Sequence, residues 1–200
     1  MQFDEIGGSA ATSLEGHFLI AMPGIEGEVF ARTVIYLCAH SANGAMGFII
    51  NKAQTTSFPQ LLTQLGIVEH EGEIRMPSGG AEVSVCRGGP VEQSRGFVLH
   101  SVDYDSESTV AVDHEIALTP TTDILRAISQ GIGPKTAIMA LGYSGWAPGQ
   151  LEEEIAQNGW LTCKADLSIV FSNELTDKYD RALGLLGIQQ AFLNTEAGHA

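Results

Sequence analysis

Cationic side chains are scarce. Ten Lys and Arg stand against 24 Asp and Glu, a formal charge of −14 with histidine neutral. A surface that tracks phosphates needs clustered Lys and Arg, and ten spread over 200 residues do not cluster. Direct nucleic-acid binding is therefore not expected, and docking on an anionic membrane is disfavoured on the same ground. Long apolar runs are missing too: none reaches the ~20 residues that a bilayer-spanning helix needs. The first residues, MQFDEIGGSAATSLEG, carry neither a basic head nor an apolar core, so they do not read as a signal peptide. Cysteine is sparse and odd in number. Cys38, Cys86 and Cys163 are far apart, which indicates neither a disulfide framework nor a zinc knuckle. Three reduced thiols in a cytoplasmic setting are the expectation. There is no G-x-G-x-x-G and no P-loop Lys-Ser/Thr, so nucleotide binding has no direct support; no cofactor is expected. His17, His70, His100 and His114 show no ligand spacing, and no metal site is expected.

What is present is a folding composition: 44% hydrophobic residues against 17% charged ones, the reverse of a disordered chain. Two hundred residues make one domain, with residues 1–15 as a flexible leader and 16–200 as the folded body. Strands are expected at 17–22, 33–40 and 46–51, with Asn43-Gly44 as a tight turn between the second and third. That hairpin is apolar on both faces, so it belongs in the middle of a covered sheet. Further strands are read at 83–87, 96–101, 109–112, 115–118, 136–142, 161–165 and 167–171. Four helices are read. One lies over 57–65, one runs from an N-cap at Thr121 to Gln130, one has Pro148 in its first turn, and one is capped by Asn173. Residues 69–82 are acidic and polar, a surface excursion. Hairpins dominate the first half, so the fold class is α+β. It is a single domain with a mixed, largely antiparallel β-sheet and about four flanking helices. Leu37, Ile49, Ile138 and Val170 are expected in the core of that sheet.

Six strings in order carry a resemblance: HFLIAMP (17–23), FARTVIYLCAHSANGAMGFIINK (30–52), RGGPV (87–91), RGFVLHS (95–101), ALGYSGWAPGQLEEEIAQNGWLT (140–162) and AGHA (197–200). The chain resembles the AlgH/YqgE family of bacterial proteins from about Gly16 to its last residue. The resemblance implies a cytoplasmic, single-domain α+β protein with no established biochemical activity. It also brings the label of transcriptional regulator, which comes from one member's effect on exopolysaccharide gene expression. That label describes a pathway and not a reaction.

Three groups of residues could carry function. Gly142-Tyr143-Ser144-Gly145-Trp146 follows a buried strand, the setting of a nucleophile elbow, with Asp166 and His199 later in the chain. The second elbow glycine is replaced by Trp146, and the following helix starts late, so a packed strand-end loop is the stronger reading. As a ligand-binding surface, the same loop offers hydroxyls at Tyr143 and Ser144, an apolar ring at Trp146 and an amide at Gln150. Arg95 and His100, on another strand, could complete its wall. Gly88 and Gly89, with Arg87 before and Arg95 after, could aim backbone N–H groups and guanidinium groups at an anion; the competing reading is a tight turn whose arginines pair with carboxylates. Cys38 and His40 are two apart and should share one strand face. Lys52, at the far end of the hairpin, reads as a surface ion pair. With no complete catalytic set in view, the expected function is a regulatory or adaptor protein, and not an enzyme, that binds a protein partner or a small ligand. The alternatives are a hydrolase-like enzyme around Ser144 and a DNA-binding regulator, the latter disfavoured by charge.

Overall fold

The computed structural model describes residues 13–25, 27–75 and 82–189. Most of the leader, part of the acidic excursion and the tail with His199 lie outside these residues. Among the described residues nine strands are formed: β1 (His17–Ala21), β2 (Val34–Ser41), β3 (Gly44–Ile49), β4 (Ser84–Arg87), β5 (Val91–Ser101), β6 (Val110–Ala111), β7 (Ile116–Thr119), β8 (Ala137–Trp146) and β9 (Trp160–Lys164). Five α-helices accompany them: α1 (Phe58–Gln64), α2 (Thr122–Ser129), α3 (Gln150–Ala156), α4 (Leu167–Val170) and α5 (Lys178–Leu185). The mixed, largely antiparallel sheet of a single α+β domain is observed, with one helix more than expected.

The strands form one sheet in the order β6-β7-β5-β8-β3-β2-β1-β9, with β4 also paired to β8. Among the described residues only the β4–β8 pairing is parallel. β8 is the spine. One of its edges is taken by β5. Along the other edge, β4 pairs with Ile138–Leu141 and β3 with Ser144–Trp146. The two partners change over at Gly142, whose φ is +72°. A Cβ there would sit 2.7 Å from the Gly89 carbonyl oxygen, so both the left-handed backbone and the close approach require glycine.

The sheet curls. At one end Asp113, in the turn between β6 and β7, accepts the hydroxyl proton of Tyr36 on β2 at 2.8 Å. The concave face buries Phe18, Val34, Tyr36, Phe48, Leu99 and Ile138, and is closed by Ile169 and Val170 of α4 and Tyr179 and Leu183 of α5. The convex face carries two separate clusters. α1 and α2 pack Leu62, Ile124 and Ile128 on Val85, Val98 and Met139. α3 packs Leu151 beside Leu19, Ile35, Leu37, Trp146 and Trp160. Each fully buried Leu, Ile or Phe in these layers contributes roughly 1.5–3 kcal/mol. α1 begins in a capping box, with the Ser57 side chain on the N–H of Gln60 and the Gln60 side chain returned to Ser57.

Two helix starts differ from expectation, α3 beginning at Gln150 past Pro148 and α5 following Asp177 and not Asn173, and three expectations about the strands need correction. Residues 167–171 form α4 and not a strand. The Asp166 carboxylate accepts the N–H of Ser168 at 2.8 Å, a helix N-cap that a short apolar run conceals. Val170 is accordingly in the core but not in the sheet. Cys38 and His40 do not share a face. A bulge between Leu37 and Ala39 inserts one residue, leaving Cys38 on the concave side with Tyr36 and turning His40 toward α3 on the convex side. Finally, β8 does not stop at Gly142, so residues 143–146 are strand and not loop.

Candidate functional site

The first cluster predicted from sequence is divided by the sheet. Beyond Gly142 the alternation of β8 resumes with its phase reset. Tyr143 points to the concave side, its ring 5.9 Å from Phe97. Ser144 and Trp146 point to the convex side. Ser144 is 1% exposed, and its hydroxyl faces the Gly88 carbonyl at 3.5 Å. The strand continues through Ser144, so there is no sharp elbow. The Asp166 carboxylate is occupied in capping α4. The hydrolase geometry is absent among the described residues, and His199 lies outside them.

On the convex side α3 builds an aromatic corner. Glu154 projects from α3 and accepts three N–H donors: the indoles of Trp146 at 2.9 Å and Trp160 at 2.7 Å, and the Gln150 amide at 2.9 Å. The two indoles meet edge to face at 6.1 Å, and Phe30 adds a second edge contact to Trp160 at 5.8 Å. The other end of the Gln150 amide accepts the N–H of Ala147. An open cleft of about 370 Å³ lies over this corner. Its rings are 7% and 4% exposed, and their polar atoms are already bonded to the protein. Nearby, His40 Nδ1 accepts the N–H of Leu14, so Nε2 carries the proton toward Glu152 at 2.9 Å.

Arg95 and His100 lie apart from this corner. His100 is fully buried. Nδ1 donates to the Ser101 carbonyl and Nε2 accepts the Thr119 hydroxyl, whose oxygen is in turn linked to Thr109 and Ser106. Burial holds its pKa below the ordinary value, outweighing the Ser101 carbonyl and Asp103. Arg95 pairs with Glu92 at 3.0 Å and lies over Phe97, so it meets Tyr143 across one ring but does not reach Ser144 or His100.

The Gly88-Gly89 turn sits where β3, β4 and β8 meet. Its glycines serve close packing: a Cβ on Gly88 would lie 2.2 Å from the Gly142 carbonyl oxygen, and one on Gly89 2.1 Å from the Tyr143 carbonyl carbon. The Gly88 N–H goes to Leu141, the Gly88 carbonyl takes the N–H of Ile49, and the Arg87 N–H goes to Lys52. The chain after β3 is thereby laid alongside β4. Between the two convex helix layers this junction leaves a pocket of about 180 Å³. Ile49 and Leu141 supply apolar surface, Gln54 and Gln93 supply amides, and Lys52 and Arg87 supply charge.

Lys52 is not the ion pair expected from sequence. Among the described residues neither it nor Arg87 has a carboxylate within 4.0 Å; the salt bridges belong to Arg32, His40, His70 and Arg95. Burial, then the Arg87 and Arg32 cations, push the Lys52 amine below its ordinary value. Sequence reading reached Gly88 and Gly89 but missed Lys52, Gln54 and Gln93. The available signal was two cations, at Asn51-Lys52 and Arg87-Gly88-Gly89-Pro90, standing beside strand ends in a chain poor in cations.

The thiols are shielded. Burial pushes Cys86 up to about 12 and raises Cys38 and Cys163 as well, and none of the three is in a disulfide. No group of three His, Cys, Asp or Glu among the described residues could hold a metal ion. No described helix is long and apolar enough to cross a membrane.

Comparison with known proteins agrees with this architecture. A UPF0301 protein of Rhizobium meliloti is 56% identical over 187 residues, covering 94% of this chain and 93% of the relative. One of Rhodopseudomonas palustris is 58% identical over 189 residues, covering 94% and 87%. The solution structure of the AlgH protein from Pseudomonas aeruginosa superposes with a TM-score of 0.73 at 38% identity, over 98% of this chain and all of that one. A protein from Corynebacterium diphtheriae shares the fold, with a TM-score of 0.67 at 19% identity over 88% of each chain. The AlgH-like family model matches residues 18–191, and the chain belongs to that family.

Proposed function

We propose that the chain is a non-catalytic regulatory or adaptor protein of the cytoplasm. It binds a small ligand at the junction of β3, β4 and β8 and passes that occupancy to a protein partner. The observation that carries the reading is the pair Lys52 and Arg87. In a chain with 24 acidic residues, two cations line one pocket with no described carboxylate within 4.0 Å of either. Like charges held together without a counter-ion cost stability, and an acidic ligand removes that cost.

The state of the nucleophiles supports binding over catalysis. Ser144 is buried against a carbonyl, the thiols are held protonated, and His100 is enclosed by its own hydrogen bonds. Any effect on gene expression is then indirect, because a charge of −14 opposes contact with DNA phosphates. Native mass spectrometry of gently purified protein tests the reading. A co-purifying small molecule is expected. Ligand-free protein that turns over ester or amide substrates would overturn it, as would tight duplex binding by the pure protein at physiological salt.

A further inference from the structure

Resting on that reading, we propose that the junction pocket takes a small organic monocarboxylate with a short apolar body. Arg87 and Lys52 grip the carboxylate, and Ile49 and Leu141 receive the hydrocarbon part.

Four features select this chemistry. The first is size. A pocket of about 180 Å³ is smaller than the ~300 Å³ at which drug-sized and nucleotide-sized sites begin. The second is charge. Lys52 and Arg87 contribute two positive charges, and Glu28 lies on the pocket wall without pairing to either within 4.0 Å. Among the described lining residues the net charge facing a ligand is one positive unit, which matches a carboxylate better than a doubly charged phosphate.

The third is the backbone. Phosphate sites are usually built from successive N–H groups in a nest. Here the N–H of Arg87 is given to Lys52 and that of Gly88 to Leu141. No run of successive N–H groups is left at this turn, so the charge is met by side chains, and an Arg fork matches a planar carboxylate in a bidentate manner. The fourth is the remaining wall. Gln54 and Gln93 offer amides to an oxo or hydroxyl group on the ligand, beside the apolar surface of Ile49 and Leu141. A site of charge, amide and hydrocarbon fits an oxo or hydroxy acid better than a bare inorganic anion.

The test uses the full chain at low salt. The probes are 4-methyl-2-oxopentanoate, its neutral amide, inorganic phosphate and glycerol 3-phosphate. Binding is followed by calorimetry and by the backbone amide resonances of Gly89 and Leu141. The oxo acid should bind in the millimolar range or tighter and shift both resonances, while the amide and the two phosphates bind at least about tenfold more weakly. R87Q and K52Q should each weaken the oxo acid about tenfold or more, and E28Q should tighten it. Because R87Q and K52Q each remove one member of a repelling pair, both should unfold no earlier than the unmodified protein. Their loss of binding is thus separable from misfolding.

Equal binding of acid and amide, tighter binding of either phosphate, or unchanged affinity in R87Q would overturn the proposal. So would a bound acid that leaves Gly89 and Leu141 unshifted. A small molecule that co-purifies while the oxo acid leaves Gly89 unshifted would sink the carboxylate assignment and leave the binding reading standing. No co-purifying molecule and no bound probe would sink both.

Discussion

The aromatic corner and the cationic junction lie on the same convex face, and they treat their polar groups in opposite ways. In the corner each polar atom has been committed to the protein: one carboxylate, Glu154, takes both indole N–H groups and an amide. At the junction the N–H groups of Arg87 and Gly88 are committed but the cations are not. The corner holds the residue types that look functional in a sequence, two Trp and a Gln, yet it spends them on seating α3. The junction holds a lysine that looks like ordinary surface. A side chain's readiness for a ligand follows from what remains unpaired after folding, and residue type alone does not report it.

The comparison can be broken most severely at Trp146. If the corner is packing, W146A should cost about 3–5 kcal/mol in urea unfolding. A loss below about 1 kcal/mol would mean that the ring is held for something other than stability. E154A comes next. It strands two indole N–H groups in a largely buried setting and should cost about 2–3 kcal/mol, with E154Q losing less because its amide oxygen can still accept.

A third measurement uses the interior as a control for the junction. Lys178 is fully buried and donates to the Val170 carbonyl at 2.8 Å, and burial pushes its pKa down to about 8 from 10.5. Above that value the folded state has released a proton that the unfolded chain still holds, so stability rises with pH from about 8. The buried thiols act in the opposite sense. Cys86 is raised from 9.0 to about 12, so above pH 9 the unfolded chain ionises first and stability falls. Lys178 should therefore contribute about 1 kcal/mol of rising unfolding free energy between pH 8 and 9, set against the fall from the thiols. The difference between the unmodified protein and K178M should grow by about that amount over this interval, while K178M alone shows only the descent. Parallel profiles in the two proteins would show that the amine has reached water. The smallest effect is expected at the junction itself. R87Q, at an exposed side chain without an ion partner, should change ligand-free stability by less than about 0.5 kcal/mol. A loss above 1 kcal/mol would mean that the guanidinium is paired, and the contrast with Glu154 would fail.

Much of the fold was legible because its signals are local. The β2–β3 hairpin announces itself through Asn43-Gly44 and residues apolar on both faces, and it does lie inside the sheet. The α1 and α2 boundaries follow from Ser57 and Thr121 ahead of periodic Leu and Ile. What failed was non-local. The bulge after Leu37 is a shift in the pairing of β2 with β3, and nothing in Cys38-Ala39-His40 encodes that by itself. Gly142 looks like a strand end, whereas it is the point at which β8 exchanges one neighbour for another. Residues 167–171 are too short to separate strand from helix by periodicity, although Asp166 ahead of Ser168 was a cap in plain view. The candidate site was half legible for the same reason. Gly88 and Gly89 mark a close approach, but Lys52 reaches them only through the pairing of the β3–α1 segment with β4.

The order of the strands also sets a timetable for making the protein. β1 is synthesised ahead of β9, which covers its outer edge and follows it by about 140 residues. At a ribosomal pace of ~5–20 residues per second, that edge waits roughly 7–30 s for its partner. Through that interval Phe18, Leu19 and Ile20 form an apolar strand whose outer N–H and C=O groups have nothing to bond, the arrangement that invites pairing with another chain. The nascent chain therefore carries a risk of aggregation at β1 that ends only when residues 160–164 have emerged.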